Sequence, residues 1–191
     1  MAGLRVSEDE LRALLVTRLE MLDEGEFEKA RRMAARHRIP LERALVDRGR
    51  IPLGFLLKEL AESWGVSFID LKVSDVKLEA LRTLPEEYAR AHMLVPFELS
   101  ESQLKVAMWD PRDHRIIEEI QRKTGFRIAP HLTPEAAIRR AQLLYKEELR
   151  AMLERSAADD AVQLPRTRQP GQEEVSAVQL LTRILEYAAV A

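Results

Sequence analysis

The sequence predicts an α+β protein: a small helical subdomain packed with an α/β sandwich, whose short mixed or antiparallel sheet contains a hairpin, then a flexible linker and a C-terminal helix. Three observations carry this. Apolar residues recur at helical spacing over the first third of the chain, beginning with Leu11, Leu14, Leu15, Leu19 and Leu22. From residue 66 the period changes, and Leu104, Val106 and Met108 alternate with Gln103, Lys105 and Ala107 as in a half-buried strand. Beyond residue 156, Pro165, Pro170, Gly171 and several Gln replace any apolar period.

Residues 1–25 read as an N-terminal amphipathic helix, opened by a capping box of Ser7 with Glu10 and ending near Gly25. Residues 26–65 read as a helical subdomain. Its first helix spans 26–37, with Phe27, Ala30, Ala34 and His37 on one side, and Ile39-Pro40 breaks it. A second spans 41–48 and stops at Gly49. Pro52 opens a third with Leu53, Leu56, Leu57, Leu60 and Trp64 turned inward.

Residues 66–155 read as the sandwich. A strand over 66–71 puts Val66 and Phe68 on one face; a helix near 76–84 ends at Pro85, with another turn or two over 86–91. Segments 92–97 and 103–108 form the hairpin. Asp110-Pro111 starts a helix carrying Ile116, Ile117 and Ile120, which Gly125 closes before a strand over 126–132. Thr133-Pro134, an N-cap followed by Pro at the first helical position, launches a long helix with Ala137, Ile138, Ala141, Leu144, Tyr145, Leu149 and Met152 on one stripe. Residues 156–174 form the linker, and 175–191 return to helix with Val178, Leu181, Leu185 and Ala188 as its stripe. An amphipathic helix after a linker, with no partner in the sequence, points to a piece of something larger.

Composition excludes several functions. Thirty Lys+Arg against thirty-two Asp+Glu leave a net charge of −2, so no global field favours nucleic acid or membrane. The absence of Cys removes disulfides, thiolate zinc sites and Cys nucleophiles, and fits a reducing compartment. No apolar run approaches the roughly 20 residues of a membrane span, and the opening MAGLRVSEDE lacks a signal peptide's apolar region. A soluble, intracellular protein is expected. None of the seven Gly fits GxxxxGK[ST] or GxGxxG; the five-apart pair Gly49 and Gly54 is followed by Phe55-Leu56, so the chain has no phosphate loop of its own. His37, His92, His114 and His131 lack a neighbouring nucleophile motif.

Two clusters invite a functional reading. Asp110, Asp113, His114 and Glu118 gather at a helix start, but one His among carboxylates makes a weak metal set, and Asp110 reads more simply as the helix cap. Between Lys29 and Arg50 eight Lys/Arg face two acids, Glu42 and Asp47. Arg31, Arg32, Arg36, Arg38 and Arg43 then make a basic docking face for an acidic partner or anionic ligand. The plainer alternative is a solvated helix face with Arg stems lying over the bundle. Without interleaved aromatics, nucleic acid is not the partner. The leucine series of the first helix has two readings as well, core or partner-docking face.

Several strings together are more specific than their chemistry. Pro40-Leu41-Glu42-Arg43-Ala44-Leu45-Val46-Asp47-Arg48-Gly49-Arg50-Ile51 is followed by Leu56 and Leu60, then Val66-Ser67-Phe68-Ile69-Asp70-Leu71, then Leu84-Pro85-Glu86-Glu87-Tyr88-Ala89-Arg90, Leu94-Val95-Pro96 and Val106-Ala107-Met108-Trp109-Asp110-Pro111. Over residues 26–150 this order resembles the N-terminal domain of the type II secretion and type IV pilus assembly ATPases. Residues 176–191 are similar to the helix that precedes that family's ATPase core. The resemblance implies a domain that docks to the cytoplasmic domain of an inner-membrane platform protein and is tethered to a hexameric ATPase ring. It would be cytoplasmic and peripheral to the inner membrane, with no cofactor of its own, ATP and Mg belonging to the catalytic part beyond this chain.

In a subset of the family the resemblance also implies binding of cyclic di-GMP through two tandem motifs, RLGxx(L)(V)xxG(L)(I)xxxxLxxxLxxQ. The second copy matches at Leu41, Leu45, Val46, Gly49, Ile51, Leu56 and Leu60, but its Arg and Gly are replaced by Pro40 and Glu42, and Arg50 and Ser63 depart as well. For the first copy, Gly25-Glu26-Phe27 stands for the central Gly and apolar pair, with no Arg-Leu-Gly ahead. In the relatives that bind the dinucleotide, the Asp equivalent to Asp110 lies near it. Pro40 removes a guanidinium fork, and Glu42 adds negative charge and a Cβ where backbone would approach closely.

Overall fold

In the computed structural model, which describes residue 4, residues 6–47 and residues 51–163, with side chains as far as 154, helix α1 (Glu8–Arg12) starts at the expected capping box. Ser7 Oγ accepts from the Glu10 amide at 3.1 Å, and Glu10 Oε2 accepts from the Ser7 amide at 2.8 Å. The helix widens into a π-helical turn, Ala13–Arg18, and stops at Glu20, whose φ is +49°. Gly25 does not end it. It lies in the first turn of α2 (Glu24–His37), which Asp23 caps through a second reciprocal box with Glu26. A left-handed Glu followed by a strong cap outweighs the glycine here.

The leucine series is core, and the docking-face reading of these leucines falls. Leu11, Leu14, Leu15 and Leu22 are buried with Phe27, Leu45, Ile51, Leu56, Leu57 and Leu60. Helices α3 (Leu41–Asp47) and α4 (Leu53–Ser63) complete this cluster. Two residues expected to face inward do not. His37 is exposed, because it lies at the border of the buried face and in the last turn of α2, where little packs over it. Leu53 is 38% exposed, since Pro52 is the cap rather than the first helical residue and leaves Leu53 at the open end of the turn.

The sheet has four strands in the order β1-β4-β3-β2, with β1 (Ser67–Phe68), β2 (Leu94–Leu99), β3 (Gln103–Met108) and β4 (Arg127–Leu132). β2 and β3 form the antiparallel hairpin, while β3 pairs with β4 and β4 with β1 in parallel, so the sheet is mixed. Pro96 is tolerated because β2 is an edge strand, and the register slips just after it. There the Phe97 carbonyl accepts from the Lys77 amide at 2.8 Å. The first strand is shorter than expected, and Asp70 is exposed.

Helices cover both faces of the sheet. Leu94, Leu104, Val106 and Met108 pack with α6 (Glu86–Ala91) and α7 (His114–Thr124) through Ala89, Ile116 and Ile120. Val95, Phe97 and Ala107 pack with α5 (Leu78–Leu81) and α8 (Glu135–Ala141) through Leu81, Ala137, Ile138 and Ala141. This is the α+β class that the alternating periods predict.

Capping departs from expectation at two helices. Asp113, not Asp110, caps α7, its Oδ1 accepting from the Ile116 amide at 3.2 Å; Asp110 Oδ1 instead accepts from the Arg112 amide at 3.2 Å in the preceding turn. Gly125 closes α7 at φ +76°, a conformation Gly adopts without a Cβ penalty. Thr133 is buried and donates its hydroxyl to the Ile69 carbonyl at 2.6 Å, binding the chain after β4 to the chain after β1.

The long helix expected after Thr133-Pro134 is two helices. α8 ends at Ala141, and α9 (Leu144–Gln163) begins after a break at Gln142 and Leu143. The buried Gln142 amide donates to the carbonyls of Ala89 at 2.9 Å and Leu94 at 3.2 Å, which holds the chain to the sandwich just where the helix is interrupted. Leu149 and Met152, expected on the continuous stripe, are exposed. The chain divides into two compact units, residues 1–145 and 146–191. Helix runs on through residue 163, so the first eight residues of the span read as linker are helical. The rest of the linker and the C-terminal helix lie outside the described residues.

Candidate functional site

Where the helical part meets the sandwich, a cavity of about 320 Å³ lies between α3, the start of α4, Trp109 and the first turn of α8. Its apolar walls are Pro40, Val46, Leu53, Trp109 and Ala136. Two guanidiniums and three carboxylates complete the lining. Neither guanidinium is at leisure: Arg43 Nε lies 3.7 Å from Asp47 Oδ2, and Arg139 reaches Glu135 Oε1 at 2.6 Å. The third carboxylate, Glu42, is 7% exposed and accepts from the Leu4 amide at 2.8 Å. Trp109 Nε1 is buried and has no hydrogen-bond partner among the described residues. The hollow is apolar with an acidic bias, suited to an apolar side chain and unsuited to two phosphates.

A groove of about 340 Å³ runs along α2, lined by Lys29, Arg32, Met33, Arg36 and His37. The expected basic face therefore separates. Arg32 and Arg36 share the groove. Arg31 turns away, with Nη2 2.8 Å from Glu28 Oε2 and Nε 3.6 Å from Glu8 Oε1. This hydrogen bond holds the Glu28 carboxyl below its ordinary value and raises that of Arg31. Arg38 is exposed at the left-handed end of α2 (φ +53°), and Arg43 stands at the junction cavity. Lys29, counted in the basic run but not in its face, and His37, which the sequence reading left out, complete the groove; their i, i+7 and i, i+8 spacing with Arg36 and Lys29 was the available signal.

The motif skeleton is not a surface. Leu45, Ile51, Leu56 and Leu60 are 0–3% exposed within the helical core, because apolar residues at this spacing face inward. Leu41 and Val46 are half-buried, only Val46 reaching the junction cavity; Gly49 lies outside the described residues. Asp110 is half-buried beside the cavity-lining Trp109. Gly25 does not fill the turn of a first motif copy: Glu20 takes the left-handed turn, ahead of Met21-Leu22, and a glutamate carries no turn signal.

The two layers are fastened near Asp110. The Arg112 guanidinium stacks 4.0 Å over the Trp64 ring and its Nη1 meets Glu10 Oε1 at 2.8 Å. Among the described residues no three His, Cys, Asp or Glu side chains gather to hold a metal ion, and no helix is long and apolar enough to cross a membrane.

With this geometry in hand, likenesses to known proteins carry weight. Residues 64–152 match the MshEN domain family. The chain is 29% identical over 145 residues to the type IV pilus assembly ATPase PilB of Myxococcus xanthus, and 30% identical over 119 residues to that of Pseudomonas aeruginosa. These alignments cover 76% and 62% of this chain but 26% and 20% of the relatives, so the chain spans about a quarter or less of their length. Among solved structures it is similar to MshE with cdg, with a TM-score of 0.58 and 25% identity over 71% of this chain and 97% of that one.

Proposed function

Because this chain belongs to the N-terminal domains of the type II secretion and type IV pilus assembly ATPases, we propose that it is a non-catalytic docking adaptor. It binds the cytoplasmic domain of an inner-membrane platform protein and joins it to a hexameric ring whose catalytic parts, with ATP and Mg, lie beyond these residues.

The observation that carries this reading is Glu42. It occupies the position where the dinucleotide motif has Gly, is buried, and is fixed by the Leu4 amide. A fixed carboxylate, with both neighbouring guanidiniums already engaged by acids, repels phosphate while leaving the helical framework intact. What remains is a folded scaffold with exposed helix faces, the material of a protein interface. The test is co-purification of the chain with the cytoplasmic domains of candidate platform proteins. A stable complex with one of them is expected; capture of none overturns the reading, as does ATP turnover by this chain alone.

One observation favours a second reading, a cyclic di-GMP sensor: the likeness to MshE with cdg. Calorimetry separates the two. The adaptor reading expects no binding heat at micromolar dinucleotide, and a sub-micromolar Kd would make the chain a sensor.

A further inference from the structure

We propose that the exposed face of α2 is a receptor for an acidic, helical segment of a partner protein, an inference that rests on the docking reading and names the chemistry of what docks. Lys29, Arg32, Met33, Arg36 and His37 fall within an arc of about 140° on one side of the helix. Phe27, Ala30 and Ala34 take the adjoining side into the core. The basic residues are exposed and Met33 is half-buried between them, making a charged groove with an apolar floor.

Neighbouring cations show what ordinary folding does with such residues. Arg12 reaches Glu8, Glu24 and Glu28, and Arg31 reaches Glu8 and Glu28, all within 3.6 Å. Among the described residues Lys29, Arg32, Arg36 and His37 have no carboxylate within ion-pair distance, Arg32 reaching Glu28 only through the field of its charge. The helix dipole accounts for basic residues in the last turn, Arg36 and His37, but not for Lys29 and Arg32, which lie earlier. Four basic side chains at positions i, i+3, i+7 and i+8 therefore present a stripe about 12 Å long.

The stripe's form selects its occupant. Its cations are strung along a helix axis and do not converge on one point, so they match carboxylates spaced on a second helix better than a single phosphate. Met33 offers a place for an apolar side chain between those carboxylates, as helix-on-helix docking requires. With an overall charge of −2, this is a local field on a near-neutral protein, which selects an acidic patch rather than polyanions in general.

The experiment uses the whole chain and fluorescence anisotropy of two labelled probes, a captured platform cytoplasmic domain and a Glu-rich helical peptide of about 20 residues, with inorganic phosphate and phosphatidylglycerol vesicles as unlabelled competitors. The chain is expected to bind the peptide and lose about tenfold in affinity between about 50 and 300 mM salt. The double variant Arg32→Glu/Arg36→Glu should weaken both protein probes by about thirtyfold, Arg32→Gln/Arg36→Gln by less, and Arg115→Glu on α7 by under about twofold. All side chains changed are exposed, and circular dichroism verifies folding.

Equal binding of the platform domain by wild type and double reversal overturns this inference and leaves the adaptor reading standing. If no platform domain binds wild type, the adaptor reading fails, and the peptide alone decides here: a thirtyfold loss upholds an acidic-helix receptor, an unchanged affinity sinks it. Phosphate or vesicles binding the stripe in preference to the peptide also sink it.

Discussion

Replacing Arg112 with alanine should loosen the fastening between the helical part and the sandwich. The guanidinium lies 4.0 Å from the Trp64 ring centroid, and a contact of this kind is worth about 0.5–2 kcal/mol according to its desolvation. The ion pair with Glu10, at 2.8 Å, involves side chains 31% and 39% exposed, so solvent screening limits it to about 0.2–1 kcal/mol. Together these set an expected loss of about 1–2 kcal/mol. For a folded unit of 145 residues that lowers the melting temperature by about 3–8 °C. Thermal unfolding of the whole chain followed by circular dichroism measures it. Arg112→Lys, which keeps the charge but loses the planar stack, should recover less than half. A double-mutant cycle with Trp64→Leu should return a coupling of about 0.5–1 kcal/mol. A melting shift within 1 °C for Arg112→Ala, or additive single variants, would refute the idea that this side chain couples the two layers.

Three other outcomes are expected. Leu15→Ala, in the π-helical turn and fully buried, should cost about 2–5 kcal/mol in urea unfolding, whereas a free docking helix would be insensitive. Glu20→Gly should stabilise by about 0.5–1 kcal/mol, because the residue sits at φ +49° and Gly reaches that region without a Cβ clash; a lower melting temperature would count against this. The Glu10 carboxyl is held below its usual value, chiefly by the Ser7 backbone amide and then by Arg112. Its contribution is thus full above the unfolded carboxylate pKa and disappears as pH falls through the folded one, so Glu10→Gln should lose less stability than wild type on acidification toward pH 3.

The architecture was legible because two apolar periods, one of helices and one of strands, are written plainly into Leu11–Leu22 and Leu104–Met108. The hairpin and the closure at Gly125 followed from the same signals. What stayed hidden was decided by tertiary contacts that leave no local trace. Glu20 takes a left-handed turn without being Gly or Asn, Thr133 uses its hydroxyl on Ile69 instead of a cap, and Gln142 interrupts a pattern that periodicity alone would continue. The candidate site was less legible still. The motif match at Leu45, Leu56 and Leu60 marks helical core and not a binding face, because apolar residues at this spacing turn inward. Lys29 and His37 join Arg32 and Arg36 only once α2 is placed with its apolar side inward. Glu42 reads as a simple loss of a glycine, and its bond to Leu4, 38 residues away, is invisible in the string.

The two hydrogen bonds from Gln142 have a mechanical meaning. Tension travelling along the chain from residue 143 onward meets, just behind the core-packed Leu144 and Tyr145, a side chain clamped inside the sandwich by the carbonyls of Ala89 and Leu94. Those carbonyls lie at the end of α6 and the start of β2, so a pull is delivered to the middle of a layered body and not to a fraying tip.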